Sequence, residues 1–140
     1  MTLMEKDFLL VKATSEYNTL YKVFYEEIIA FEAQRNHVLL HLRGRRIKTY
    51  VSISDVEDHI SAYRQFIRLH RAFIISVRTI RQITRGQITM ENGLSFMVGD
   101  YYIDVYTNLL NTHLLKGNKK KTILKKTNKT YKQQINTWKT

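Results

Sequence analysis

The sequence predicts a mainly β domain, built from short antiparallel strands with one small helix and one C-terminal helix. Three observations carry that prediction. The stretch Phe66–Val77 (FIRLHRAFIISV) contains the β-branched apolar run Phe73-Ile74-Ile75, the pattern of a buried strand. Gln87–Val98 sets Asn92-Gly93 between two short apolar runs, and both residues tolerate the positive φ that a tight hairpin needs. After Gly99, the residues Tyr102, Val105, Tyr106, Leu109 and Leu110 recur with helical spacing.

Taken in order, Asp7–Lys12 and Tyr17–Phe24 read as strands around the polar turn Thr14-Ser15-Glu16. Ile28–Ala33 is apolar enough to be largely buried. Gln34-Arg35-Asn36 interrupts it as a polar turn, and His37–Leu42 returns as the second arm of a hairpin. Arg43-Gly44-Arg45-Arg46 reads as a turn built on its glycine, leading to the alternating strand Ile47–Val51. Ser54-Asp55-Val56-Glu57 has capping-box spacing and predicts a short helix to about Ala62, with Val56 and Ile60 on one face. Phe66–Val77 then holds Arg68, His70 and Arg71 as a cationic cluster at the entrance to its buried strand. Thr79–Thr84 is a strand, and Gln87–Met90 with Leu94–Val98 form the hairpin tipped by Glu91-Asn92-Gly93. A helix from about Asp100 to Leu115 closes the body, which amounts to about nine short strands and two helices.

The 140 residues suit one domain, large enough to bury a core without staples. Residues 1–116 are expected to form that domain. Residues 117–140 are rich in Lys, Thr, Asn and Gln, with Ile123, Leu124, Ile135 and Trp138 too sparse for a core. They are expected to be disordered when unbound. With no Cys there is neither disulfide nor cysteine chemistry. The N-terminus carries acids before a very short apolar run, unlike a signal peptide, and no stretch approaches the roughly 20 apolar residues of a membrane span. The expected location is the cytoplasm.

The net charge of +11 is unevenly placed. Residues 111–140 carry nine Lys and no acid, whereas residues 1–110 carry fourteen Lys or Arg against twelve Asp or Glu. A tail of that kind attracts polyanions. All ten Arg lie between Arg35 and Arg85. Arg suits planar bidentate recognition and Lys a diffuse point charge, which divides specific contact in the body from nonspecific attraction in the tail.

Enzymatic readings fail on the residue inventory. No nucleophile with a partnered base and oxyanion site assembles. The five His (His37, His41, His59, His70 and His113) lack metal-ligand spacing, and there is no Gly-rich phosphate loop. No catalytic activity and no cofactor are expected. Two other readings stay open for a basic β domain with ample aromatics. It could bind RNA or single strands by stacking, or be an interaction module whose tail grips an acidic protein or an anionic membrane surface.

Three blocks carry a resemblance to a known family. Phe66, Arg68, His70 and Arg71 form a Phe-x-Arg-x-His-Arg segment leading into Ala72-Phe73-Ile74-Ile75. Before it, Ile28-Ile29-Ala30-Phe31-Glu32-Ala33 runs into Asn36-His37-Val38, and after it comes Val98-Gly99-Asp100-Tyr101-Tyr102. In order and spacing these resemble the LytTR family of bacterial DNA-binding domains, over roughly Asp7 to Leu110. The resemblance implies an elongated, mainly β fold of small antiparallel sheets that docks on double-stranded DNA through loops, without a recognition helix. It also implies a transcription regulator, the output domain of a response regulator in a two-component system. Such domains bind paired direct repeats, two copies per site. Members commonly carry a receiver domain ahead of the DNA-binding domain; 140 residues leave no room for one here, so a receiver or sensor partner would lie outside this chain.

The resemblance places base contacts at the hairpin tip, at the residue after the signature His, and near the last block. Those positions are Asn36 or His37, then Arg71, then Asp100 or Tyr101. Asn can read adenine and Arg can read guanine, each bidentately. The third position departs from the pattern, because Asp100 is acidic where the family commonly has Arg or Lys, and it repels phosphate. Arg35, Arg68, His70, Arg45 and Arg46 are further DNA-binding candidates. Each has a plainer role to set beside it. His70 suits an internal hydrogen-bond partner better than a base reader. Asn36 and His37 suit a turn equally well, and Arg45 and Arg46 suit a solvated turn. Tyr102 suits the core under the last helix. For Arg71 the balance favours DNA.

Overall fold

The computed structural model describes residues 8–117. Within them the strands are β1 (Phe8–Lys12), β2 (Leu20–Phe24), β3 (Ile28–Ala33), β4 (Val38–Leu42), β5 (Arg45–Thr49), β6 (Phe66–His70), β7 (Phe73–Ser76), β8 (Ile80–Thr84), β9 (Gln87–Met90) and β10 (Ser95–Met97). Two α-helices join them, α1 (Ile53–Ile60) and α2 (Ile103–His113). All strand pairs are antiparallel.

Consecutive apolar residues can all be buried only in a strand covered on both faces. β3 and β7 are such strands, and they sit at the centre of a five-stranded sheet ordered β5-β4-β3-β7-β6. One face carries Ile28, Phe31, Val38, Leu40, Leu42, Ile47, Phe66 and Ile74, which pack with Val11 and Val23 of the β1–β2 hairpin and Ile60 of α1. The other face carries Ile29, Ala30, Leu69 and Ile75, which pack with Ile88, Met90, Phe96 and Val98 of the β8–β10 sheet and with Ile103, Tyr106 and Leu109 of α2. A register shift between Ile28 and Ala30 lets Ile29 and Ala30 face the same core. Ile74 and Ile75 are buried on opposite faces, while Phe73 is half-buried and stacks on Phe96 with centroids 4.8 Å apart. Burial pushes the Tyr106 phenol up from its ordinary range.

The mainly β class with small antiparallel sheets and a C-terminal helix holds, and several boundaries move. Phe66–Val77 divides into β6 and β7 with a turn at Arg71-Ala72, which accounts for a tenth strand. The turn at residues 43–46 shrinks to Arg43-Gly44, because Gly44 takes φ +86° and Leu42 already faces Arg45; Arg45 and Arg46 therefore lie on β5. The helix cap is Ser52, with its Oγ accepting from Asp55 N at 3.0 Å and Asp55 Oδ2 accepting from Ser52 N at 3.1 Å. Those bonds hold the Asp55 carboxyl below its ordinary pKa. Starting there adds Ile53 to the face that Val56 and Ile60 turn toward the core. β2 begins only at Leu20, after a turn with Asn18 at φ +54°. The last helix is a 3-10 turn, Asp100–Tyr102, continued by α2 to His113, where Leu114 N donates back to Leu110 O. The expectation for a disordered tail falls outside the described residues, apart from Gly117.

Candidate nucleic-acid interface

Antiparallel pairing puts the β3–β4 and β6–β7 turns at the same end of the central sheet, since Glu32 faces both Leu39 and Phe73. Backbone hydrogen bonds then weld the loops of that end together. Ala33 N donates to Ala72 O at 2.7 Å, joining the β3–β4 tip to the Arg71-Ala72 turn. Gly99 N donates to Leu69 O at 2.9 Å, joining the loop before α2 to β6. A Cβ on Gly99 would make ordinary contact with His70 Cα at 3.7 Å and a tight one with Tyr102 Cδ2 at 3.2 Å, so a side chain here would press on the Tyr102 ring. The three regions singled out for base contact thus form one continuous rim.

The Arg71-Ala72 turn contains no Gly, Pro, Asn or Asp, and neighbouring side chains build it. His70 Nδ1 accepts from Ala72 N at 3.0 Å, and Arg68 Nη2 donates to Arg71 O at 2.6 Å. The same guanidinium donates from Nη1 to Glu57 on α1 at 2.9 Å and lies 5.9 Å from the centre of the Tyr102 ring. With its side chain 17% exposed, Arg68 is a positioning residue that ties α1, the turn and the third loop together. His70 also packs edge-on against Phe73 and Phe96, at 5.4 and 6.0 Å. Arg71 is exposed, and its guanidinium has no partner among the described residues.

The tip of the β3–β4 hairpin is closed by Gln34 N donating to His37 O at 2.9 Å. The His37 ring lies between the Asn36 and Gln34 side chains, with Nδ1 3.1 Å from Asn36 Oδ1 and Nε2 2.5 Å from Gln34 Oε1. A neutral imidazole donates at one nitrogen and accepts at the other, and an amide can serve either. Arg35 and Asn36 are exposed at the apex. In the third loop Tyr101 is 96% exposed, whereas Tyr102 packs against the core beneath α2.

Arg45 and Arg46 do not join this rim. They pair with Leu42 and His41, at the end of β5 remote from the tips. Arg45 reaches Glu27 at 3.5 Å and the Tyr21 ring at 5.8 Å. One rim residue escaped the sequence reading: Tyr50, 68% exposed, sets its ring edge-on to His37 at 6.4 Å. Counting back from a two-residue Arg43-Gly44 turn would have placed it there, because Thr49 faces Val38.

A family model for the LytTr DNA-binding domain matches residues 18–111. The fold is also similar to the LytTr DNA-binding domain of a methyl-accepting/DNA response regulator from Bacillus cereus. That comparison has a TM-score of 0.61 and 22% sequence identity, covering 74% of this chain and 96% of the other. A search of curated proteins gave no match.

Proposed function

On the premise that this chain belongs to the LytTR family of DNA-binding domains, we propose that it is a sequence-specific, double-stranded DNA-binding regulator of bacterial transcription that reads major-groove bases through its rim loops. The observation that supports this reading is the union of the Gln34–His37 tip, the Arg71 turn and the Gly99–Tyr101 loop by backbone hydrogen bonds. The backbone of such mounts loses little freedom on binding, which leaves side-chain ordering as the main entropic cost. Arg71 would meet guanine or phosphate bidentately, and Asn36 or His37 would read a second position. Arg35 would hold phosphate beside the tip. Tyr101 would present its ring to the duplex, while the Asp100 carboxylate, which repels phosphate, suits the amino group of cytosine. Arg68 and His70 would act through the turn they build.

Two copies would occupy a direct repeat, and the Lys-rich residues 117–140 would add diffuse attraction to any duplex. A receiver domain or sensor partner would set activity, in the cytoplasm of the cell. Among the described residues no helix is long and apolar enough to cross a membrane. The test is to select duplexes from a random library with the full chain, then compete the selected duplex against its separated strands and a scrambled duplex. The selected duplex should exceed the scrambled one by roughly a thousandfold or more. Separated strands that compete as well as the duplex would overturn the reading.

A further inference from the structure

The β8–β9 turn carries an arginine where turn geometry disfavours one. Thr84 faces Gln87, so the connection is the two-residue loop Arg85-Gly86. Arg85 has φ +49° and Gly86 has φ +80°, the two positive values that a type I′ turn requires. Asn, Asp or Gly serve best at the first of these positions, because a Cβ crowds the following carbonyl there. Among the described residues only Asn18 and Arg85 adopt positive φ without being glycine, and asparagine tolerates that region. A residue that breaks a local rule points to a use for its side chain.

The position of the turn suggests that use. Gly86 O accepts from Val98 N at 3.0 Å, and the next residue, Gly99, donates to Leu69 O at 2.9 Å. Two backbone hydrogen bonds therefore connect the Arg85 turn to the strand that leads into Arg71. The guanidinium is exposed and has no partner among the described residues. Its turn is hydrogen-bonded through Gly86 to Val98, two residues before Asp100, the acid that this loop carries in place of a cation.

We propose that Arg85 is a phosphate-binding residue that extends the DNA-contacting rim past the Gly99–Tyr101 loop and supplies there the positive charge that loop lacks. This rests on the DNA-binding reading above. At the outer end of the rim, a lone cation on a turn apex meets the sugar-phosphate backbone, and such contacts position a protein without reading sequence.

The experiment uses the full chain, with Arg85→Asn and Arg85→Lys, on a selected duplex and a mixed-sequence duplex across a salt series. Arg85→Asn suits the turn, so its melting temperature should equal or exceed that of the wild type. It should nevertheless weaken both duplexes alike, by roughly fivefold to tenfold, and make the log–log salt slope shallower by about one. Arg85→Lys should restore the slope. Wild-type affinity and slope in folded Arg85→Asn would overturn the inference and leave the DNA reading intact. So would a loss confined to the selected duplex, which would make Arg85 a base reader. Failure of the wild-type chain to bind either duplex would overturn the DNA reading and this inference together.

Discussion

Two arginine-bearing turns close opposite ends of the same five-stranded sheet, and they are built in opposite ways. In the β4–β5 turn the chain reverses because Gly44 takes a positive φ, and Arg43 is spent on Glu91, with Nε 2.5 Å from Oε1 and Nη2 3.4 Å from Oε2. In the β6–β7 turn no glycine helps. The side chains of His70 and Arg68 satisfy the turn's own backbone, and Arg71 is left outward without a partner among the described residues. Where glycine supplies the bend, the arginine is available for structure. Where neighbouring side chains supply it, the arginine is available for a ligand.

The largest expected effect removes part of the buried floor of the sheet that carries both turns. Ile75, fully buried on β7, touches the core under β6 and β3. Ile75→Ala should cost about 2–5 kcal/mol in denaturant or thermal unfolding. A melting curve like that of the wild type would show that β7 is not this floor. A sharper test separates the two turns. Arg68→Ala removes the donor to Arg71 O and the Glu57 pair, so it should cost about 1–3 kcal/mol and speed amide exchange at Ala72. Arg43→Ala breaks a pair whose arginine side chain is 54% exposed, and should cost less than about 1 kcal/mol. Equal losses in the two variants would erase the distinction between structural and outward arginines.

Local features were legible in the sequence, and features made by side chains meeting at a distance were not. The hairpin at Asn92-Gly93 and the apolar arms of β3 and β4 announce themselves through turn residues and strand pattern, although only Gly93 takes the positive φ, at +91°, and Asn92 instead accepts from Leu94 N through its side chain. The Arg71-Ala72 turn has no such signal, because its geometry comes from Arg68 and His70, and so β6 and β7 read as one stretch. Two capping boxes share one spacing, and the choice of Ser52 over Ser54 depends on the burial of Ile53. Arg45 and Arg46 looked like turn residues because Gly44 signals a turn without giving its length. The candidate residues themselves were visible as types, but only the bonds from Ala33 to Ala72 and from Gly99 to Leu69 bring them onto one rim. Tyr50 joins it through register, and register also fixes Arg85 in a two-residue turn, neither of which composition shows.

The most direct measurement compares Arg71→Ala with Arg43→Ala on a selected duplex, alongside their melting curves. Arg71 is mounted on a turn that other side chains hold, so its removal should leave the melting temperature nearly unchanged. Binding should fall by about 1–3 kcal/mol, with the loss concentrated on one base pair whose selectivity relaxes. Arg43→Ala should bind as the wild type does. If folded Arg71→Ala binds the selected duplex like the wild type, or if Arg43→Ala loses as much, then the rim at the β6–β7 end is not the surface that reads DNA.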